Sequence, residues 1–340
     1  VQQRGEIFVE RGFQHRGRTG QHLSVRAVHG DHVTFPENLG FAKDAYFDAK
    51  GNYLSDRLMD EVLKFVETNR DRPFFAYLPD HAVHAPYNPK PDLLKKYEQK
   101  RTSQTDRRND PAHAATVEAV DQNIGRLVDT LERLKLTDNT LVIFTSDNGG
   151  TPQYTAPLKG SKGQLYEGGI RVPLVVTGPA IKKPGSVCST PVTSVDLYPT
   201  LLELASLKVP AGQTVDGVSL LPLLQGDAAL PARPLFWHFP CYVGRSTPSS
   251  AIREGDFKLI EFFEDGGKRE LYNLKLDPNE QRDLAPTSLE KADELYKQLV
   301  AWQKATGASL PRGANPNYDP KSQRPRGGQG GGNNPRRGQK

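Results

Sequence analysis

Cysteine is nearly absent: the 340 residues hold two, Cys188 and Cys241. Two thiols cannot build a disulfide framework or a cysteine-rich zinc site. No apolar run approaches the roughly 18 residues that a membrane-crossing helix requires, so no membrane span is expected. The first residues, from Val1 onward, lack the apolar core of a signal peptide. That leaves two expectations, a leader already removed or a piece of a longer protein. Excess charge of one sign is missing from the body of the chain too. The net charge is +5, yet residues 312–340 alone contribute +6, with seven Lys and Arg against Asp319, and the remainder stands at −1. A basic tail with a single aromatic residue, Tyr318, does not make a nucleic-acid surface, so no specific nucleic-acid partner is expected.

What is present points to a folded chain. Apolar residues make up 36% and charged residues 25%, enough to bury a core, and the length allows two or three folding units. The 31 glycines and 27 prolines imply many turns. Leu54, Leu58, Val62, Phe65 and Val66 recur at helical spacing and predict a helix over residues 53–68. Residues 74–78, between two prolines, suit a short buried strand. Residues 92–111 are polar and read as a surface excursion. Over residues 116–135, Val117, Val120, Ile124, Leu127, Val128, Leu131 and Leu134 share one helical face. A turn and a fully buried strand, residues 141–145, follow. Strand, helix, tight turn and strand is the grammar of a βαβ unit in a mainly parallel sheet. Residues 172–177 predict another strand and residues 192–207 another helix.

The rhythm changes after residue 231. Residues 249–253, 257–263 and 269–272 read as strands, separated by Glu254-Gly255-Asp256 and Asp265-Gly266-Gly267, both good hairpin turns. Helical spacing returns over residues 289–302. The expectation here is a small antiparallel sheet carrying one helix. From residue 311 Gly, Pro, Asn, Gln and Arg dominate, and such a composition cannot bury enough to fold.

In open α/β sheets ligands sit beyond the carboxyl ends of the strands, and three stretches stand there. Asp147 and Asn148, followed by Gly149 and Gly150, offer hard oxygen donors suited to Ca²⁺ or Mg²⁺. The same residues also suit an ordinary Asx-turn with no metal. His81 and His84 follow the strand at 74–78, either as plain surface histidines or as donors to an anionic oxygen and a general acid. Lys159-Gly160-Ser161-Lys162-Gly163 lets an ammonium approach an oxyanion closely, with backbone N–H groups beside it. It does not fit the P-loop pattern.

Taken in order, residues 74–78 with His84 and Pro86, Asp121 within a helix, Thr145-Ser146-Asp147-Asn148-Gly149-Gly150, Lys162-Gly163 and Tyr166-Glu167-Gly168-Gly169-Ile170-Arg171-Val172-Pro173 closely resemble the type I sulfatases. These are the arylsulfatase A-like branch of the alkaline-phosphatase-like superfamily. Glu270-Leu271-Tyr272-Asn273-Leu274, Asp277-Pro278 with Glu280, and Asp256-Phe257-Lys258-Leu259-Ile260 resemble that family's carboxy-terminal subdomain. The likeness runs over about residues 50–305.

The resemblance implies an alkaline-phosphatase-like α/β sandwich with a mainly parallel central sheet and a smaller carboxy-terminal antiparallel sheet. With the composition of the two ends, the chain is expected to divide into an irregular arm (1–29), a partial catalytic domain (30–230), an α+β subdomain (231–310) and a disordered basic tail (311–340). The resemblance also implies a sulfuric ester hydrolase acting on sulfated carbohydrate or aryl sulfate, with one divalent cation, Ca²⁺ or Mg²⁺, and a formylglycine nucleophile. Position by position, Asp147 and Asn148 match two metal ligands, and Lys162 matches the lysine on the sulfate and bridging oxygen. His84 matches the histidine that contacts sulfate or protonates the leaving alcohol, while His81 and Lys159 fall at substrate-binding positions. The family's habit implies a periplasmic or extracellular location.

The departures are as informative. The Cys/Ser-x-Pro-x-Arg motif that yields formylglycine is absent, as are an Asp-Asp pair and a Gly-Lys-Trp-His motif. Cys188 is followed by Pro191, one place too late, and Ser246 by Pro248 without the Arg. No nucleophile is therefore assigned. The chain is expected to lack the amino-terminal part of the family's fold and to be inactive alone. The alternatives are a related phosphoesterase or phosphonate hydrolase, or a non-catalytic remnant that binds sulfated glycans.

Overall fold

A computed structural model of the protein describes residues 25–27, 32–34, 46–101, 110–226, 230–242, 246–264, 266–313 and 315–318. These fall into two compact units. One runs to Val142 and includes Thr177–Pro179; the other comprises Ile143–Val176 and the residues from Ala180. The tail expected after residue 311 lies mostly outside the described residues, as does most of the arm expected over residues 1–29.

In the first unit, strands β1 (Val25–Ala27), β2 (His32–Thr34) and β3 (Ala76–Tyr77) form an antiparallel sheet in the order β2-β1-β3. Residues 25–27 are thus a strand where an irregular arm is expected. Helix α1 (Leu54–Asn69) buries Leu54, Leu58, Met59, Val62 and Val66. Each buried side chain of this size contributes roughly 1.5–3 kcal/mol. They pack on Leu127, Leu131 and Leu134 at the end of helix α3 (Pro111–Arg133). Asp110 caps α3 by accepting from the Ala112 and His113 backbone N–H groups, and Pro111 occupies the first helical position, where no donor is lost. Ala115 and Ala119 of α3 meet Leu93 and Tyr53.

Two expectations change here. Of residues 92–111, read from composition as an excursion, residues 92–100 belong to helix α2 (Pro91–Lys100). Its termini are favourable, with Pro91 at the start, Asp92 in the first turn and Lys100 in the last. Leu93 is its single buried residue, too little apolar periodicity to show in the sequence. Val117 and Val128, expected in the core, are 44% and 43% exposed. They lie about three turns apart on one stripe of α3. The buried side is instead built from small and polar residues, including Ala115, Thr116, Ala119 and Asn123. Asn123 donates to Asp56 of α1 at 3.1 Å.

Strands β4 (Val142–Thr145) and β5 (Leu174–Thr177) lie side by side as a two-stranded sheet. β4 is expected to be fully buried, yet Phe144 is 39% exposed, and Val175 of β5 is 57% exposed. The reason is topological: among the described residues each strand has a single neighbour. Between them lie the short helices α4 (Pro152–Thr155) and α5 (Glu167–Ile170). The helix expected over residues 192–207 is a 3-10 turn, Ser194–Asp196, continued by α6 (Leu197–Leu204). A capping box between Thr193 and Asp196 starts it. Asp196 is buried and also pairs with Arg233 at 2.5 Å. Helix α7 (Leu221–Gln225) ends on Gly226 in the left-handed conformation.

The carboxy-terminal sheet matches the expectation and adds a strand. β6 (Leu235–Phe239), β7 (Ser249–Glu254), β8 (Phe257–Phe262) and β9 (Lys268–Asn273) are antiparallel neighbours in that order. Alternation assigns the two faces. Ile252, Leu259 and Leu271 pack on Ala292, Leu295 and Leu299 of helix α8 (Leu289–Thr306). Ala251, Ile260 and Tyr272 point the other way, onto Leu165, Tyr166 and Ile170. The second face therefore carries the loop that precedes and includes α5.

Candidate functional site

Asp147 and Asn148 occupy the turn after β4. The Asp147 carboxylate is exposed and takes no hydrogen bond or ion pair among the described residues. Asn148 donates from Nδ2 to the Gly149 carbonyl at 3.0 Å, which leaves its amide oxygen open. Ser146 Oγ donates to the Asn148 carbonyl at 3.0 Å and tightens the turn.

This turn is knitted to the loop carrying Lys159 and Lys162. The Lys162 N–H donates to the Gly150 carbonyl at 2.9 Å, the Gly149 N–H to Gly169 at 2.9 Å and the Gly168 N–H to Lys159 at 2.8 Å. Glycine is required by close approach. A Cβ on Gly149 would lie 2.0 Å from the Gly168 oxygen, and one on Gly169 would lie 1.9 Å from the Gln164 oxygen. Backbone thus packs on backbone, and Asp147, Asn148 and Lys162 are carried on two interlocked turns. The Lys162 side chain is exposed, with no ion pair among the described residues. An open carboxylate oxygen, an open amide oxygen and an uncommitted ammonium suit a hard cation beside an oxyanion.

Lys159 is placed differently. Its ammonium lies 2.8 Å from the Tyr272 hydroxyl and 3.5 Å from Glu270 Oε2, above the Tyr166 ring at 4.2 Å from the centroid. Glu270 Oε2 also accepts from the Tyr166 and Tyr272 hydroxyls at 2.7 and 2.5 Å. Burial alone would raise the Glu270 carboxyl, but hydrogen bonds from Lys268, Tyr272 and Tyr166 outweigh it and hold the group at about 2. Below the same loop, Lys258 lies between Glu167 and Glu280. Lys258, Glu270 and Tyr272 are missed as site-supporting groups by sequence reasoning. Their partners on the loop, Glu167, Tyr166 and Lys159, stand 91, 104 and 113 residues away, and no local pattern encodes the pairing.

The histidines belong to the first unit. Asp80 accepts from Ser55 Oγ at 2.9 Å and from the Ala82 N–H at 3.1 Å, and burial raises its carboxyl above the ordinary value. His81 Nε2 meets the Tyr46 hydroxyl at 2.5 Å. The His84 ring centroid is 5.5 Å from that of His81. His84 is exposed, and its Nδ1 donates to the Ala85 carbonyl at 2.5 Å, leaving Nε2 as the open nitrogen.

Among the described residues no three His, Cys, Asp or Glu side chains gather in metal-holding geometry. Asp147 and Asn148 fit a hard cation as two of the six to eight oxygen ligands that Ca²⁺ takes, and no more.

Comparison with known proteins is consistent in all three directions. Residues 6–207 match the family model described as Sulfatase, and residues 161–305 match that described as N-sulphoglucosamine sulphohydrolase, C-terminal. A sulfatase from Formosa agariphila is 38% identical over 278 residues, covering 74% of this chain and 50% of that protein. An N-acetylglucosamine-6-O-sulfatase from Bacteroides thetaiotaomicron is 35% identical over 202 residues, 56% of this chain and 35% of that protein. The crystal structure of Ps i-CgsB, also solved in complex with k-i-k-neocarrahexaose, aligns with a TM-score of 0.65 at 30% identity, over 74% of this chain and 55% of that one. The chain spans about half the length, or less, of the relatives it matches. With the Sulfatase model covering more than half of its residues and the glycine-locked turns at the end of β4, the chain belongs to the sulfatase family, with the α/β fold of the alkaline-phosphatase-like superfamily.

Proposed function

We propose that this chain is part of a sulfuric ester hydrolase that cleaves sulfate esters of carbohydrate or aryl substrates, with water supplying the oxygen and an alcohol and sulfate as products. The observation that carries this is the pair of interlocked turns presenting the Asp147 carboxylate, the Asn148 amide oxygen and the Lys162 ammonium. Lys162 contacts the sulfate and its bridging oxygen, offsetting the charge that develops there. Asp147 and Asn148 would supply two oxygen ligands to a Ca²⁺, or Mg²⁺, whose charge would neutralise the sulfate oxygens. His84 is the general acid. Its Nε2 proton passes to the leaving alcohol, and the neutral ring that results is the tautomer already held by the Ala85 carbonyl. His81 orders the ring beside it. Lys159 keeps the loop in place through Glu270 and Tyr272, and substrate reaches it only at its exposed edge.

No Cys/Ser-x-Pro-x-Arg motif exists in the 340 residues, so on this reading a formylglycine nucleophile would have to come from residues other than these. Two protein oxygens hold a calcium ion poorly. Purified residues 1–340 are therefore expected to show no turnover of 4-nitrophenyl sulfate with added Ca²⁺. The full-length protein is expected to hydrolyse it in preference to 4-nitrophenyl phosphate. Preference for the phosphate would move the assignment to a phosphoesterase. The missing motif also favours a second reading, a non-catalytic remnant that binds sulfated glycans, which an inactive full-length protein retaining heparin affinity would support. The names of the matched sulfatases support a carbohydrate substrate. The family's habit supports a periplasmic or extracellular location, and among the described residues no helix is long and apolar enough to cross a membrane.

A further inference from the structure

Lys258 on β8 has 0% of its surface exposed. Its ammonium lies 2.8 Å from Glu167 Oε1 and 2.6 Å from Glu280 Oε1. Glu280 Oε2 in turn accepts the Glu167 backbone N–H at 2.7 Å. One lysine and one glutamate of the carboxy-terminal region thus grip both the side chain and the backbone of the residue immediately before Gly168 and Gly169. The backbone of Glu280 sits at φ +55°, a conformation unusual for a residue with a side chain. Such strain persists where the surroundings demand that side chain in that place.

Buried ion clusters are a poor way to gain stability, since apolar residues of equal volume often serve as well or better. What this cluster supplies is direction. Two short contacts meet at Glu167, one at its carboxylate and one at its backbone N–H, a third ties Lys258 to Glu280, and Glu167 leads into the glycines on which the Asp147–Asn148 turn rests. Glu270 holds the same loop at Tyr166, beside Glu167, and at Lys159, its other end.

We propose that Lys258 and Glu280 are positioning residues: by clamping Glu167 they fix the glycine-locked loop that sets Lys162 and the Asp147–Asn148 turn in one arrangement. The oxyanion-binding turns then take their working form only on a folded carboxy-terminal sheet. This deepens the proposed function and rests on it.

The test uses the whole chain with inorganic sulfate as the probe, followed at the Lys162 amide by NMR, together with backbone amide exchange. Lys258→Met is expected to weaken sulfate binding about fivefold or more. Exchange in residues 159–170 should quicken by about tenfold or more, with α8 amides within about twofold of wild type. Unchanged exchange and unchanged sulfate affinity would overturn the proposal. Equal acceleration in residues 159–170 and in α8 would also overturn it, because the cluster would then serve only general stability. Glu280→Leu leaves the Lys258–Glu167 pair electrically balanced and serves if Lys258→Met does not fold; wild-type exchange in residues 159–170 of that variant refutes the clamp. A wild-type chain whose Lys162 amide ignores sulfate counts against the proposed role of Lys162 alone, and the exchange rates still decide the clamp.

Discussion

The Lys162 amide donates to the Gly150 carbonyl across 2.9 Å, so the residue proposed to hold sulfate is tied by its backbone to the turn proposed to hold the metal. Neither turn can move independently. A substitution in the glycines between them should disturb both functions together.

Gly149→Ala tests this directly. Its new methyl would fall 2.0 Å from the Gly168 oxygen, a backbone atom that cannot swing aside. Overpacking of this kind costs roughly 1–3 kcal/mol. Urea unfolding of the variant should show a loss of that order, with faster proteolysis between residues 146 and 170. A variant within experimental error of wild type would mean the turns are not in the contact described.

Much of this was legible before any coordinates. Leu54, Leu58, Val62 and Val66 mark α1 by spacing alone, and the Gly-Asp turns delimit β7 and β8 because hairpin geometry is local chemistry. The hard donors at the end of β4 follow from the topology of open sheets. What the residues could not reveal is long-range. Lys159 reads as a free ammonium until Glu270 and Tyr272 arrive from β9. Val117 reads as core because helical periodicity identifies a face without saying which element covers it. Phe144 reads as buried because the apolar run at residues 141–145 suits a central strand, whereas burial depends on how many neighbours the strand has.

That last contrast makes a stability prediction. Leu295 of α8 is fully buried against Ile252, Leu259 and Leu271, so Leu295→Ala should cost about 2–5 kcal/mol. Val175 is apolar and in a strand, yet 57% exposed. Val175→Thr should stay within about 0.5 kcal/mol of wild type. Paired thermal or denaturant melts decide the matter. A large loss at Val175 would show that this strand face is covered in solution.

The Glu270 carboxyl gives a pH signature. Burial opposes its ionisation, but Lys268, Tyr272 and Tyr166 hydrogen-bond the charged form and hold it at about 2, below the ordinary 4.5. A carboxyl depressed on folding stabilises the fold above its unfolded value and loses that contribution as pH falls toward its folded one. Wild type should therefore exceed Glu270→Gln in stability at neutral pH, and the gap should close between about pH 4.5 and 2. Melting curves of the two proteins across that window provide the check. A constant gap would assign the effect to packing instead of ionisation.

His84 carries the sharpest chemical prediction. A general acid matters in proportion to how badly the leaving group needs a proton. Phenolates with acidic parent phenols depart without help, whereas sugar hydroxyls do not. In the full-length enzyme, His84→Gln should therefore lower kcat/KM for a carbohydrate sulfate by roughly 10²–10⁴-fold. The loss should shrink steadily along a series of aryl sulfates as the phenol becomes more acidic. The alternative role, a simple hydrogen bond from Nε2 to sulfate, is blind to the leaving group, since every ester presents the same sulfate oxygens. The Ala85 carbonyl sharpens the distinction, because it fixes Nδ1 as the donor and leaves Nε2 to act. Equal losses across the series would reassign His84 to substrate binding. A graded loss, steepest for the poorest leaving group, would identify Nε2 as the proton's source.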